Sequence, residues 1–270
     1  MSVQAKEFLS NNDLNGALEA LQATIRADPS NPKHRIFLFQ LLCVMGNWKR
    51  AITQLKVSAE LDPLAIMMAQ TYREGIICEI YREKVFSGNK VPLIFGEPEE
   101  WLALLIESLK VLSNGAASEA NLLREKAFSK APAVGGEING QKFEWIADAD
   151  MRLGPILEVV INGRYFWLPF SAINSITIEA PVDLRDYVWT PANINLINGG
   201  DVVGLIPSRY EGSTNDSDPL VLLAKSTEWS DVGAETFVGK GQRLFTTDFG
   251  DVALMDVRTI KMNQPIDESG

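Results

Sequence analysis

The sequence contains few of the residues on which most catalytic and metal sites depend. Its 270 residues include one histidine and two cysteines, which is a poor supply for a Ser-His-Asp triad or a zinc site. His34 follows a proline at a predicted helix start, and we expect a capping or surface residue. Cys43 and Cys78 have no CxxC spacing and lie in predicted helices. We therefore expect two buried free thiols and no disulfide framework.

Nucleotide-binding and membrane-spanning patterns are also missing. The sequence has no GxGxxG, GxxxxGK or GxSxG motif. A turn between strands explains Gly239-Lys240-Gly241-Gln242-Arg243 better than a phosphate loop does. No apolar run approaches the roughly 18 residues that a membrane helix needs, and the first twenty residues contain no signal-peptide core. We expect a cytoplasmic protein with no catalytic residues, no cofactor and no membrane insertion.

Positive charge is scarce in the second half of the chain. Residues 1–133 hold 15 Lys and Arg and 15 Asp and Glu, whereas residues 134–270 hold 10 Lys and Arg against 20 Asp and Glu. The whole net charge of −10 therefore belongs to the second half. Such an excess of acid repels a phosphate backbone, so nucleic acid is an unfavourable partner. The acid serves either solubility or the attraction of a basic patch on a partner.

The clearest positive signal is an internal repeat of 34 residues. The segment from Ala17 to Pro29 returns as Ala51 to Pro63, with Asp28-Pro29 echoed by Asp62-Pro63. A period of 34 residues is that of the tetratricopeptide helix–turn–helix unit. Apolar residues recur at spacings of three and four in both copies, which indicates amphipathic helices. Stacked units of this kind present a surface suited to binding another polypeptide.

The pattern changes after the linker composition of residues 131–136. Two apolar runs flank Asn162-Gly163, which is the strongest short hairpin signal that a sequence offers. Further short strands are predicted near 175–179, 201–206, 220–225, 243–247 and 252–258. The sequence thus predicts an α+β protein, with tetratricopeptide-like helical repeats over residues 1–131. A β-rich, mainly antiparallel domain is predicted over residues 137–270.

Carboxylates are the one plentiful kind of reactive group. Asp148 and Asp150 share a side of a predicted extended segment, and Glu158 comes from the next strand. Oxygen ligands of this kind suit Mg²⁺ or Ca²⁺, which leaves a metal-dependent hydrolase as an alternative function. The other interpretation is loop hydrogen bonding and ion pairs with Arg152 or Arg164.

Aromatic side chains are concentrated in the strands and loops of the second half. Alternation along 164–168 places Tyr165 and Trp167 on one face and Phe166 on the other. These residues either fill the core or anchor an interface, because Tyr, Trp and Arg are typical interface anchors. Six residues are the candidate partner-binding set: Trp145, Arg152, Tyr165, Trp167, Arg185 and Trp189.

Several segments in order resemble one known family. They are Phe143–Pro155, Asn162–Phe170, Asp183–Trp189, Ile206–Tyr210, Lys225–Trp229, Gly241–Arg243 and Asp256–Arg258. Over roughly residues 140–260 this order is similar to that of the ImpE family, also called TagJ or SciE. The members are accessory proteins of the bacterial type VI secretion system.

The resemblance implies a non-enzymatic cytoplasmic adaptor. Family members are associated with TssB, the small subunit of the contractile sheath, through a helical segment near the N-terminus of TssB. That association links them indirectly to ClpV, the ATPase that disassembles used sheath. A scaffold for another cytoplasmic assembly shares this mechanism and differs only in its partner.

Overall fold

The computed structural model describes residues 3–96 and 99–263. Residues 1–2 and 264–270, at the ends of the two predicted domains, lie outside the described residues. The helices of the described chain are α1 (Val3–Ser10), α2 (Leu14–Ala27), α3 (Pro32–Val44), α4 (Trp48–Leu61), α5 (Ile66–Phe86), α6 (Glu100–Ser113), α7 (Ala117–Lys130) and α8 (Pro219–Leu222). Within those residues no helix combines the length and the apolar character that crossing a membrane requires.

The strands follow mainly after the helices. They are β1 (Leu93–Ile94), β2 (Gly136–Ile138), β3 (Gln141–Phe143), β4 (Ile146–Asp148), β5 (Ile156–Ile161), β6 (Arg164–Pro169), β7 (Ile173–Ile178), β8 (Trp189–Leu196), β9 (Asp201–Pro207), β10 (Thr227–Asp231), β11 (Phe237–Gly241), β12 (Leu244–Thr247), β13 (Gly250–Ala253) and β14 (Thr259–Met262). The predicted class, helical repeats followed by a mainly antiparallel sheet region, is confirmed.

The helices reproduce the 34-residue period. Both the first and the last residues of α2 and α4 are 34 positions apart, and α3 and α5 also begin 34 positions apart. The helix starts have identifiable chemistry: Asp13 accepts a hydrogen bond from the Gly16 amide, and Asn31 accepts one from the Lys33 amide. Side-chain acceptors at this position satisfy amides that the first helical turn leaves free.

A nine-stranded sheet has the order β1-β6-β5-β9-β8-β7-β14-β2-β3. Its neighbouring strands pair antiparallel except for β1, which runs parallel to β6. A three-stranded sheet, β13-β12-β4, and the hairpin β10-β11 complete the described strands. The predicted hairpin is confirmed: β5 and β6 pair around Asn162 and Gly163, and both of these residues have positive φ, as a type I′ turn requires.

One sequence expectation for a short segment is wrong. Residues 220–225 are not a strand, because Asp218 caps the Leu220 amide and Pro219 opens α8. The segment 239–243, expected to be a turn between strands, contains the junction of two strands: residues 239–241 form the end of β11, and residues 242–243 connect it to β12. The expectation that His34 is a capping or surface residue is also wrong. His34 is buried in α3, and Asn31 caps the start of this helix. The two cysteines are buried free thiols, as predicted.

The described core consists of three apolar clusters, and two of them join the helices to the strands. One contains side chains of α1 to α5 together with Val188, Trp189 and Leu222. Another packs α5, α6 and α7 against β5 and β6. The third lies within the sheet region, with Leu157 and Phe245 among its members. The division of the chain into domains 1–131 and 137–270 stays a prediction.

Candidate partner-binding site

Three of the six candidate partner-binding residues lie in the interior. Tyr165, Trp167 and Trp189 are between 0% and 2% exposed. The predicted alternation along β6 is present, but Tyr165 and Trp167 face the cluster of α5 to α7, while Phe166 packs against the sheet cluster. Both faces of β6 are therefore covered. These three side chains offer no surface to a partner, and their part of the partner-binding prediction has no support.

A buried network of charges surrounds these aromatic residues. Glu158 on β5 accepts hydrogen bonds from Arg82 of α5, with Nε at 2.6 Å and Nη2 at 2.8 Å. Arg243 and the Tyr165 hydroxyl also donate to the same carboxylate. Glu158 and Arg243 are 0% exposed and Arg82 is 3% exposed. Glu158 therefore joins α5, β5 and the segment between β11 and β12, which are distant from one another in the sequence.

The other two carboxylates of the cluster are also engaged by arginines. Arg243 donates to Asp148, and Arg152 Nη2 lies 2.6 Å from Asp150 Oδ2. Of the two arginines named as possible ion-pair partners of this cluster, Arg152 or Arg164, Arg152 pairs with Asp150. Within residues 3–96 and 99–263 no group of three or more His, Cys, Asp and Glu side chains could hold a metal ion. The carboxylate oxygens point at guanidinium groups, so this geometry does not favour the metal-dependent hydrolase.

Burial and pairing shift the pKa values of these carboxylates in opposite directions. Burial alone raises the pKa of Glu158, but Arg82 and Arg243, with hydrogen bonds from Arg82 and Tyr165, lower it to about 2. Burial raises the pKa of Asp148 to about 7, because the attraction of Arg243 offsets only part of the desolvation. Asp148 therefore holds its proton at pH values at which an exposed aspartate is ionised.

A second buried arginine connects the repeat helices to the sheet region. Arg209 follows β9, and its Nη1 lies 2.7 Å from the Val44 carbonyl and 2.6 Å from the Leu222 carbonyl. Its Nη2 lies 3.2 Å from the Cys43 carbonyl. Cations are favourable at helix C-termini, where carbonyls lack partners. Arg209 therefore stabilises the end of α3 from within the β-rich part of the chain.

This packing removes one surface that the repeat was expected to offer. Residues 37–44 of α3 are all buried. Side chains of α5 belong to the same apolar cluster as Val188 and Trp189 of the sheet region. The inward face of α3 and α5 is covered by the chain itself. That face is therefore not available to a partner.

An open apolar groove lies at one end of these helices. It runs between the start of α3, the turn from α4 into α5, and the segment before β8. We name it the α3–α5 groove, and its lining consists of Lys33, Ile36, Phe37, Gln40, Asp62, Leu64, Ala65, Met68, Asp183 and Arg185. Arg185 is the one member of the candidate set that lies here.

Large apolar side chains are exposed along the edge of the groove. Leu64 is 91% exposed and Met67 is 76% exposed, and Ile66 is half exposed beside them. Val182, next to the groove residue Asp183, is 90% exposed. Isolated exposed apolar residues are common, whereas a contiguous patch marks an interaction surface. The arrangement suits the apolar face of an incoming helix.

The sequence contains a local signal for this surface. Six consecutive apolar residues, 64–69, follow Asp62-Pro63. In a helix six consecutive positions point in all directions, so they cannot all enter one core. The remaining candidates lie apart from the groove: Trp145 is half exposed between β3 and β4, and Arg152 pairs with Asp150 and Glu211. A partner-binding role for Trp145, Arg152 and Arg185 stays a prediction.

Comparison with known proteins supports the fold and decides the family. A model of the tetratricopeptide repeat matches residues 8–70, and a model described as ImpE protein matches residues 140–261. The chain is 50% identical over 256 residues to the type VI secretion system accessory component TagJ of Pseudomonas aeruginosa. That alignment covers 95% of this chain and 90% of the relative. The chain belongs to the ImpE family.

A solved structure shows the same fold in a distant sequence. The crystal structure of protein VPA1032 from Vibrio parahaemolyticus matches this ImpE-family chain with a TM-score of 0.89 at 24% identity. The match covers 98% of this chain and 99% of the other. The arrangement of repeat helices and sheet is therefore not particular to this sequence.

Proposed function

We propose that this protein is a non-enzymatic, cytoplasmic accessory component of a type VI secretion system that binds the N-terminal helical segment of the sheath subunit TssB. Binding links it to sheath assembly or to ClpV-dependent disassembly. The name of the Pseudomonas aeruginosa relative supports the accessory role. The tetratricopeptide match supports protein binding, since repeats of this kind commonly present binding surfaces.

The observation that carries the proposal is the exposed apolar edge of the α3–α5 groove. A helix that places residues i, i+3, i+4 and i+7 against such a groove buries them together. Each fully buried anchor contributes about 1.5–3 kcal/mol before ordering costs. Micromolar binding corresponds to roughly 8 kcal/mol, so a few anchors meeting Leu64, Met67 and Met68 are sufficient.

The test is a titration of a fluorescently labelled TssB peptide with the full-length protein. Leu64→Asp introduces a charge at the groove edge without disturbing the core, because Leu64 is 91% exposed. We expect at least tenfold weaker binding, since about 1.4 kcal/mol corresponds to a factor of ten. The matched control is Leu122→Asp, an exposed leucine on α7, and it should bind like the wild type. Absence of binding by the wild type at high micromolar peptide would refute the proposal.

A further inference from the structure

Two adjacent methionines lie at the α3–α5 groove. Met67 is 76% exposed at its edge, whereas Met68 lines the groove and packs in part against the apolar cluster of α1 to α5. Leu64 precedes them by three and four positions in a segment that is helical from Pro63 onwards. Side chains at these spacings are neighbours on a helix surface. Solvent therefore reaches the side chain of Met67 where the proposed partner helix packs.

Met67 is the one exposed methionine among the residues that the structure describes. The others in the described chain are partly buried (Met45, Met68, Met151 and Met255) or buried (Met262). The Met151 sulfur also accepts a hydrogen bond from a backbone amide of β11, over 3.2 Å. A dissolved reagent that attacks thioether sulfur meets Met67 before these other side chains.

The two cysteines do not compete with Met67 for an oxidant. Both are buried, and burial raises the pKa of both thiols, that of Cys78 to about 12. The thiolate is the form of cysteine that reacts, so both side chains remain unreactive thiols at neutral pH. Met67 is therefore the accessible sulfur in the described chain.

Hydrogen peroxide converts a thioether into a sulfoxide. The sulfur lone pair attacks one peroxide oxygen, and the S–O bond forms as the O–O bond breaks. The hydroxide that leaves takes the proton of the transferred hydroxyl and becomes water. The sulfur is thus oxidised by two electrons and the peroxide is reduced. The product is polar, and pressing a polar group against apolar side chains is unfavourable unless it finds a hydrogen-bond partner.

We propose that Met67 is a site of reversible oxidation by peroxide, and that its sulfoxide weakens the binding of the partner helix at the α3–α5 groove. This inference rests on the proposed function and adds a modification that controls it. Because the side chain of Met67 lies outside the core, its oxidation leaves the fold intact. Methionine sulfoxide reductases reverse the change: a dithiol supplies two electrons, becomes a disulfide, and the oxygen leaves as water.

The first experiment locates the oxidised residues. The full-length protein is treated with hydrogen peroxide, the peroxide is removed, and the sulfoxides are mapped by peptide mass spectrometry. We expect Met67 to be oxidised faster than any other methionine of residues 3–96 and 99–263. Oxidation of Met255 ahead of Met67 would overturn the assignment of the site, and this result does not depend on any partner.

The second experiment titrates the labelled TssB peptide with treated and untreated protein. Loss of one buried apolar anchor corresponds to roughly a ten- to hundredfold loss of affinity, so the oxidised protein should bind at least about tenfold more weakly. Its melting temperature should be unchanged, and treatment with the two sulfoxide reductases and dithiothreitol should restore binding. Unaltered affinity after full oxidation of Met67 would make the inference wrong while the proposed function stands. If the untreated protein does not bind, the proposed function fails, and the effect on binding fails with it.

Three variants assign the effect to one side chain. Met67→Leu stays apolar and cannot be oxidised, so it should bind within about twofold of the wild type and keep that affinity after peroxide. Met67→Gln makes the position polar without an oxidant and should weaken binding about tenfold. The matched control is Met255→Leu, at a partly buried methionine outside the groove lining, and peroxide should weaken its binding as it does that of the wild type. An equal loss of affinity in peroxide-treated Met67→Leu would contradict the inference, because another residue would then be responsible.

Discussion

Replacement of Glu158 by glutamine tests whether the buried charge network holds the helices and the sheet together. The substitution changes little in shape but removes one negative charge. Arg82 and Arg243 then lose the carboxylate that both of them contact. We expect the substitution to lower the free energy of unfolding strongly. The secondary structure of the folded protein should be unchanged.

The size of the effect follows from burial. Breaking a buried ion pair by removing one partner typically costs about 3–5 kcal/mol, because a charge remains without compensation. Glu158 is 0% exposed and Arg82 Nε lies only 2.6 Å away, so neither group can turn to water. For a chain of this length, each kcal/mol lowers the melting temperature by roughly 2–4 °C. A decrease of about 6–20 °C is therefore expected.

Urea unfolding, followed by circular dichroism and by tryptophan fluorescence, measures the change. The control is Glu60→Gln, which makes the same chemical change at the exposed Lys56–Glu60 pair, where the charged atoms are 3.8 Å apart. Exposed pairs contribute about 0–1 kcal/mol, so this control should unfold nearly like the wild type. A Glu158→Gln protein within 1 kcal/mol of the wild type would show that the buried charge network does not hold the helices and the sheet together.

Three further predictions concern stability. Burial raises the pKa of Asp148 in the folded protein to about 7 from its ordinary value of 3.8, so its contribution to stability is fully present below pH 3.8 and is lost as pH rises through about 7. Unfolding at several pH values should show this decline in the wild type, and Asp148→Asn should lack it. Arg209→Met removes the donors to the Cys43 and Val44 carbonyls, and we expect it to lower the free energy of unfolding by about 1–3 kcal/mol. Hydrogen exchange at the end of α3 should become faster, and unchanged exchange there would contradict the capping role. Gly75→Ala should stabilise the protein by about 0.5–1 kcal/mol, because Gly75 lies within α5 and an added Cβ would be no closer than 3.5 Å to its neighbours. A lower melting temperature would show that the helix cannot accept the methyl group.

Local patterns predicted those parts of the fold that depend on neighbouring residues. The 34-residue period anticipated α2 to α5 because each unit repeats its own turn, with Asp28-Pro29 echoed by Asp62-Pro63. Asn162-Gly163 anticipated the hairpin because few residue pairs adopt positive φ at both positions. Prediction failed at residues 220–225, where an apolar composition suited a strand but Asp218 and Pro219 start a helix.

Long-range contacts could not be read from the sequence in the same way. Arg82 and Glu158 are 76 positions apart, and nothing in either neighbourhood indicates that they meet. The burial of Trp189 could not be predicted for the same reason, because it depends on how the repeat helices cover the sheet. The groove is likewise formed by three separate segments. Only the run of apolar residues after Pro63 gave a local sign of it.

We propose that a helical segment of TssB occupies the α3–α5 groove. Hydrogen–deuterium exchange of the full-length protein, with and without the TssB peptide, shows which segments the peptide covers. We expect the peptide to slow exchange at the start of α3, at the turn from α4 into α5, and over residues 182–187. Protection confined to other segments, such as the hairpin β10-β11, would contradict it.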